Sequence, residues 1–513
     1  MPHPKAPTGI TGLDELTLGG FPVGRSTLVA GTSGSGKTVL ALQALASAAR
    51  DLGERGVLVT LEESADELIR NVASFDWAIQ EAIDSGDILI LDYSMTPTTD
   101  VLEAGDFDFR GLLTRITAAV RQIDARRVVF DSVGSLFPSF ADPHAVRREL
   151  SRLMSGMREL GVTTLVTAER VDEFGPVSRH GVEDFVADSV VILRHPLDQE
   201  TRRRTLEVLK VRGAQHRKGE RPFTIDPLRG IELIPHSAIE DAHVASTERI
   251  AIGNGGGIDS ALGEGILRDS SILVSGSTGT GKTTLAIDYV SAGLTAGESC
   301  LYFCFEESSS QLLRNARSVG HDLDGAVQDG KLRVVAQYPD RSSLEDLLLD
   351  MRREVAEFAP RRVVVDSLSA LERFTSPQQF HEFVVGLLSY LKAGDISGLF
   401  TTTSPGAGGS FAGHQMSTVV DVLLLLRYVE SDGVVRRGLH VLKSRGGDHA
   451  HDIREITVSK HGLQLGPTIR EVTGILSGII MPMPVPTEQL APAIAGTVIE
   501  ERPASTGADE ARA

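Results

Sequence analysis

The feature that most constrains this chain is that it contains its own fold twice. GTSGSGKT at residues 31–38 returns as GSTGTGKT at 276–283, an offset of 245. Upstream, GLDELTLGGFPVGRSTLVA (12–30) aligns with GIDSALGEGILRDSSILVS (257–275). Downstream, VLVTLEES (57–64) aligns with LYFCFEES (301–308), RRVVFDSVGSLF (126–137) with RRVVVDSLSALE (361–372), and KVRG (210–213) with KSRG (443–446). The order is kept while the offset drifts from 245 to 233. The chain is a tandem duplication of one module of about 240 residues, large but acceptable for a single α/β domain.

Each module reads the same way. An apolar strand runs into a Gly-rich loop and a helix (VLALQALASAAR; TLAIDYVSAGL). A strand ending in Glu-Glu follows, then a helix, a strand, a further helix and a strand ending in Asp. Strands alternating with helices predict a mainly parallel, doubly wound α/β sheet flanked by helices. The boundary is expected in the polar, Gly-rich IEDAHVASTERIAIGNGGG (239–257), giving domains 1–246 and 247–480. The remaining 481–513 are rich in Pro, Ala and Thr and are expected to be a disordered tail, too poor in apolar surface to fold alone.

Composition excludes several classes. Of 513 residues, 41% are hydrophobic and 23% charged, and the net charge is −18. Gripping duplex nucleic acid by its phosphates needs a cationic face, which this balance disfavours. The apolar runs, such as VVDVLLLL, fall far short of the ~18 residues a membrane span needs, and MPHPKAPTGITG carries no apolar signal region. Both cysteines lie in CLYFCFEE, where Cys300 and Cys304 would share one strand face. No second ligand pair accompanies them, so they read as core in a reduced, cytoplasmic protein.

Both Gly-rich loops fit G-x-x-x-x-G-K-[ST] between a strand and a helix. In the first, Gly31, Thr32, Ser33, Gly34, Ser35 and Gly36 would wrap phosphates with backbone N–H groups, helped by the helix's positive end. Gly276, Ser277, Thr278, Gly279, Thr280 and Gly281 repeat this, with Thr284 following in the helix. Lys37 and Lys282 would reach the β- and γ-phosphates of ATP, and Thr38 and Thr283 would hold Mg²⁺. Two matches in register within a duplicated module leave little room for chance.

Asp131 and Asp366 end the strands VVFD and VVVD, where open α/β sheets bind ligands, and read as carboxylates on the metal or its water shell. Helix capping is the alternative, since Ser132 and Ser367 follow. Glu62-Glu63 and Glu306-Glu307 also end apolar strands; at least one of each pair is expected to orient and deprotonate an attacking water, the other reading being an acidic first-turn cap. Lys210 and Arg212, and their counterparts Lys443 and Arg445, form a duplicated K-x-R-G. Such cations could stabilise a transferring phosphoryl group in cis or on a neighbouring subunit. Arg202, Arg203 and Arg204 read as a solvated hairpin. Trp77, the single tryptophan, receives no role. In GHQMSTVVDVLLLLRYVE (413–430), Ser417 and Thr418 precede an apolar strand. They are either its polar start or acceptors of phosphate.

Longer segments carry a resemblance: VRRELSRLMSGMRELGVTTLVTAER (146–170), FGPVSRHGVEDFVADSVVILRH (174–195), ETRRRTLEVLKVRG (200–213), KGERPFTI (218–225) and STVVDVLLLLRYVE (417–430). Over about residues 8–470 the chain resembles the KaiC-type circadian clock ATPases of the RecA-like superfamily. The resemblance implies two stacked RecA-like domains, an ATP-dependent double-ring homohexamer and nucleotide at subunit interfaces. It implies slow ATP hydrolysis in the N-terminal ring and serine/threonine autokinase activity in the C-terminal ring, with Ser417 and Thr418 as acceptors. Glu62, Glu63, Glu306 and Glu307 match the catalytic carboxylates, and Lys210, Arg212, Lys443 and Arg445 the trans-acting cations. Arg373 matches an interface arginine. A KaiB-like clock partner is implied. Three departures stand out: Ala412 replaces a frequent hydroxyl, GGDHAHD after Arg445 lacks the usual aromatic, and the divergent end beyond ~470 argues against docking of a KaiA-like activator. Two other readings compete: a RecA-like DNA-dependent ATPase or recombinase, and an ATP-assembled signalling scaffold without kinase activity.

Overall fold

The computed structural model of the chain describes residues 3–94, 109–135, 143–179, 181, 183–198, 201–234, 246–253, 255, 257–338, 343–373, 375–403, 416–431, 434–460, 462–470, 472–473 and 481–482. The linker expected at 239–257 lies partly outside these residues, and the tail expected from 481 almost wholly.

Each module builds one nine-stranded sheet. In the first, the order is Gly230–Leu233, Glu220–Asp226, Thr205–Val211, Ser189–Arg194, Ser26–Gly31, Thr163–Glu169, Arg127–Asp131, Gly56–Thr60, Ile88–Asp92. The second repeats it as Gly462–Thr468, Arg454–Ser459, Val434–Ser444, Val422–Ser431, Ser271–Gly276, Ser397–Thr403, Arg362–Asp366, Cys300–Cys304, Leu332–Ala336. The strand entering each Gly-rich loop is central, paired parallel on both sides. It is buried on both faces, which is why it reads as a continuous apolar run.

Alternate residues of these strands feed different cores. Leu28, Ala30, Val57, Val59, Val128 and Phe130 face one side of the first sheet, while Val29, Leu58 and Val129 face the other. Cys300, Tyr302 and Cys304 share a core face in the second sheet, opposite Leu301 and Phe303. Both thiols are free and buried, and burial pushes Cys300 up to about 12 and Cys304 to about 11. The expected core role of the pair holds.

Each sheet also carries three strands added antiparallel at one edge, which the alternating pattern did not predict. They are half-buried and mixed in composition, so no long apolar run announces them. Trp77 ties this edge down. It is 3% exposed, stacks on Phe75 at 4.3 Å and donates from Nε1 to the Arg229 carbonyl at 2.9 Å. Gln43, from the helix after the loop, holds Ile231 from both sides of its amide.

The basic run at 202–204 is only partly the expected solvated hairpin: Arg202 is exposed on a short antiparallel pair, whereas Arg203 and Arg204 are half-buried. Arg203 is only 20% exposed and bridges the modules, donating to Glu345 and Glu382 at 2.7 Å each. In the reverse direction Arg353 reaches Asp226 and Glu232, also at 2.7 Å. These partners lie more than a hundred residues away in sequence, so composition at 202–204 holds no sign of them.

Candidate nucleotide sites

The two Gly-rich loops fold alike. Gly36 (φ 100°) and Gly281 (φ 105°) take left-handed backbone just before helices Lys37–Leu52 and Lys282–Thr295. A Cβ on Gly31 would stand 2.3 Å from Ser35 Oγ, and one on Gly276 would stand 2.4 Å from the Leu426 carbonyl, so the loop closes only with glycine there. The helix's first N–H groups are left open for an anion. Lys37 Nζ donates to the Thr32 carbonyl at 2.9 Å; Lys282 Nζ donates to Gly276 and Ser277 carbonyls at 2.8 and 3.0 Å. Burial lowers both lysine pKa values; Glu169, Asp131, Glu62 and Glu173 oppose this at Lys37, and Asp366 and Glu306 at Lys282.

Asp131 is 6% exposed and accepts from the hydroxyls of Thr167 and Thr38. Burial raises its pKa, with those hydroxyls and Lys37 pulling the other way. Asp366 accepts from Tyr302 Oη at 2.8 Å and from Thr401. Neither aspartate caps a helix. A hydroxyl beside a carboxylate is a hard-oxygen set that suits Mg²⁺, which keeps several waters and takes phosphate oxygens to complete its shell. No group of three His, Cys, Asp or Glu that could hold a metal exists among the described residues. Ser35 Oγ is a further buried hydroxyl of the loop without a partner among the described residues.

The glutamate pairs sit in the turn after their strands. The helices that follow are capped by Ser64 with Glu67 and by Ser308 with Gln311, so the pairs do no capping. Their members divide the same way in both modules. Glu62 accepts from Ser132 Oγ at 2.9 Å and Glu306 from Ser367 Oγ at 2.6 Å, each beside the strand-end aspartate. Glu63 accepts from Asn71 at 3.1 Å and Glu307 from Asn315 at 2.8 Å, each on the following helix. Glu62 is among the carboxylates that oppose the lowering of the Lys37 pKa, and Glu306 among those at Lys282. Burial, Asp131 and Glu62 raise the Glu63 pKa.

Ser417 and Thr418 do not open the strand. They lie on a helical turn at 416–419, before Val422–Ser431 begins, with Ser417 half-buried and Thr418 exposed. Lys443 Nζ donates to the Ser417 and Val420 carbonyls at 2.9 and 2.6 Å, and Arg445 donates to the Thr418 carbonyl at 3.1 Å. In the first module Lys210 holds the Asp184 carbonyl of the matching turn, and the Arg212 N–H donates to the Asp188 carbonyl at 2.9 Å. Thus Lys210, Lys443 and Arg445 hold the turns of their own modules through their side chains, while the Arg212 contact is made by its backbone. Arg373 is exposed at the end of helix Leu368–Glu372.

Register separates this turn from the loop of its own module. Val422 and Leu426 pair with Ile272 and Gly276, and the Asp421 N–H reaches the Ser271 carbonyl at 3.0 Å. The turn is therefore at the start of the central strand and the Gly-rich loop at its end, five residues or about 16 Å away. Lys443 pairs with Leu423 and shares that far end, as Lys210 does opposite Val190.

Two site residues escaped sequence reasoning. Arg437 donates to the Gly279 carbonyl of the second loop at 3.1 Å, with Tyr428 beside it. Glu173 accepts from Thr32 Oγ1 of the first loop at 2.6 Å. Neither sits in a local motif.

Comparison with known proteins agrees over both modules. Residues 6–238 and 255–469 match the family model described as ATPase: KaiC. The chain is 48% identical over 479 residues to the circadian clock protein KaiC3 of Synechocystis sp., covering 93% of this chain and 94% of that one. It is 44% identical over 476 residues to the circadian clock oscillator protein KaiC of Thermostichus vulcanus, covering 92% and 91%. With the KaiC of Parasynechococcus marenigrum it shares 43% over 477 residues, 93% of each chain.

Proposed function

The chain belongs to the KaiC family of ATPases, built on two tandem RecA-like domains, and on that premise we propose that it hydrolyses ATP slowly in both modules and autophosphorylates Ser417 or Thr418 between subunits. The observation that carries the reading is the separation of that turn from its own loop, about 16 Å along one strand. A hydroxyl there meets a γ-phosphate only if another subunit brings one. A contact between the loop end of one copy and the strand-start end of the next is heterologous, and such contacts make a ring when the rotation between copies closes. The ring adopted is the homohexameric double ring that the resemblance implies, with Lys210, Arg212, Lys443, Arg445 and Arg373 placed toward the neighbour's nucleotide. We divide the chain at 246/247, with a tail from 481, and the gap between the two family matches supports that division.

In each site the loop N–H groups and Lys37 or Lys282 would seat the triphosphate. Thr38 with Asp131, and Thr283 with Asp366, would hold Mg²⁺, which when bound offsets charge between the β- and γ-phosphates. Glu62 and Glu306 then orient a water and take its proton as its oxygen bonds the γ-phosphorus and ADP leaves. For autophosphorylation the Ser417 or Thr418 oxygen replaces that water, and its proton passes to Glu306 of the partner subunit. The product carries about −1.5 to −2 of new charge beside Lys443 and Arg445, a switch suited to a timer that recruits a KaiB-like partner. No helix among the described residues is long and apolar enough to cross a membrane.

The test is phosphosite mapping by mass spectrometry after incubation with Mg-ATP. Mixing a Glu306→Gln chain with a Ser417→Ala/Thr418→Ala chain should place phosphate on the Glu306→Gln subunits. Hydrolysis without phosphate on either hydroxyl would make this a KaiC-family ATPase without the autokinase step.

A further inference from the structure

The two loops differ in what stands beside them. In the first module, the residue after strand Thr163–Glu169 is Arg170, 3% exposed. Its N–H donates to the Gly31 carbonyl at 2.9 Å, and its guanidinium gathers the carbonyls of Glu173, Gly175 and Pro176 at 3.0, 2.6 and 3.0 Å. Residues 171–176 are thereby wound into a compact loop around one buried cation. Its inner carboxylate is Glu173, which accepts from Thr32 Oγ1 at 2.6 Å and from the His195 N–H at 2.8 Å. Thr32 in turn receives Lys37 on its carbonyl. Glu169, opposite Gly31 in the sheet, adds a second carboxylate, 46% exposed and paired with Arg179 at 3.4 Å.

The second module has neither acid. Thr403 pairs with Gly276 where Glu169 pairs with Gly31, and residues 404–415, SPGAGGSFAGHQ, contain no Asp or Glu. Its loop is touched instead by a cation, Arg437 on the Gly279 carbonyl. The phosphate-binding turn is thus held directly by a carboxylate in one module, with the Arg170 guanidinium behind it, and by a cation in the other.

We propose that Glu173 is a positioning residue of the first module that fixes Thr32 while setting a negative charge beside the phosphate seat, so that this module holds ADP and ATP more loosely than its own loop otherwise would. The inference rests on the nucleotide reading above and goes beyond it to how the two modules are made unequal. A nearby unit charge acting on a polyphosphate through an effective dielectric of about 20 changes affinity on the order of tenfold. Part of that is screened at a Debye length of ~8 Å.

Glu173→Gln separates charge from tie: its amide oxygen still accepts from His195, and its NH₂ donates to the Thr32 hydroxyl, which can reverse its role. The assay is MgADP titration by calorimetry on the full chain carrying Lys282→Ala, so that only the first loop binds, with ATP turnover recorded alongside. Glu173→Gln should tighten MgADP about tenfold at low salt, the gain should shrink at high salt, and KM should fall more than kcat changes. Glu173→Ala, which also frees Thr32, should gain less. Unchanged or weaker ADP affinity in Glu173→Gln at an unchanged Tm overturns the proposal. If the parent binds no more ADP than a Lys37→Ala chain, the nucleotide reading itself falls, and this one with it.

Discussion

Replacing each glutamate pair one member at a time is the sharpest test of the catalytic geometry. Glu306 accepts from Ser367 Oγ at 2.6 Å, next to Asp366, and its charge is felt by Lys282; Glu307 is held by Asn315 on the following helix. Glu62 and Glu63 repeat the division with Ser132 and Asn71. A general base contributes about 10²–10⁴ in rate, or about 2.7–5.4 kcal/mol of barrier. Gln keeps an oxygen for the serine hydroxyl, so the fold should lose under about 1 kcal/mol. The Glu62→Gln/Glu306→Gln double variant should therefore lose at least about a hundredfold in ATP turnover with nucleotide binding and Tm intact. The Glu63→Gln/Glu307→Gln double variant should stay within about fivefold of the parent, since Gln can still meet Asn71 and Asn315. ADP release measured under saturating Mg-ATP decides between them. If the second double variant stops turnover while the first sustains it, the assignment is reversed and the serine contacts are structural only.

Three further outcomes follow from the geometry. Arg203→Ala leaves Glu345 and Glu382 without the cation that joins the modules; it should cost about 1–3 kcal/mol in urea unfolding of the full chain, and an unchanged midpoint would show the bridge to be idle. Asp131→Asn should abolish hydrolysis yet raise the nucleotide-free Tm at neutral pH. Burial lifts the Asp131 pKa, so its favourable contribution is present below the ordinary aspartate pKa and is lost as pH rises through the lifted one. The gain should vanish in acid, and a lower Tm at neutral pH would refute the sign. Gly230→Ala puts a Cβ 2.3 Å from Trp77 Cζ2 at φ +87°, which should cost about 2–4 kcal/mol by overpacking and backbone strain together; thermal melting at near-parent stability would contradict the close approach.

A short, contiguous code made the loops readable in advance. A phosphate-binding turn is backbone geometry plus one lysine and one hydroxyl within eight residues, and its left-handed positions, Gly34, Gly36, Gly279 and Gly281, are set within the loop itself. The central strands were equally plain, because burial on both faces leaves an uninterrupted apolar run. The duplication then assigned the same plan to both halves without any structure. The glutamate pairs were legible only as pairs, since spacing puts both members at a strand end and says nothing of where each points.

What tertiary structure decided lies between residues far apart in sequence. Glu173 reaches Thr32 across 141 positions and Arg437 reaches Gly279 across 158. Arg203 finds its carboxylates in the other module. The antiparallel edge strands are half-buried, so their pattern is too weak to name them. Most telling is the Ser417–Thr418 turn. From the sequence it could be the start of a strand or a phosphate acceptor; register alone sets it at the opposite end of the central strand from its own loop. Local chemistry is written in neighbouring residues because turns, caps and periodicity act over a few positions. Which ends of the sheet those residues occupy is a property of strand pairing, and strand pairing is long-range.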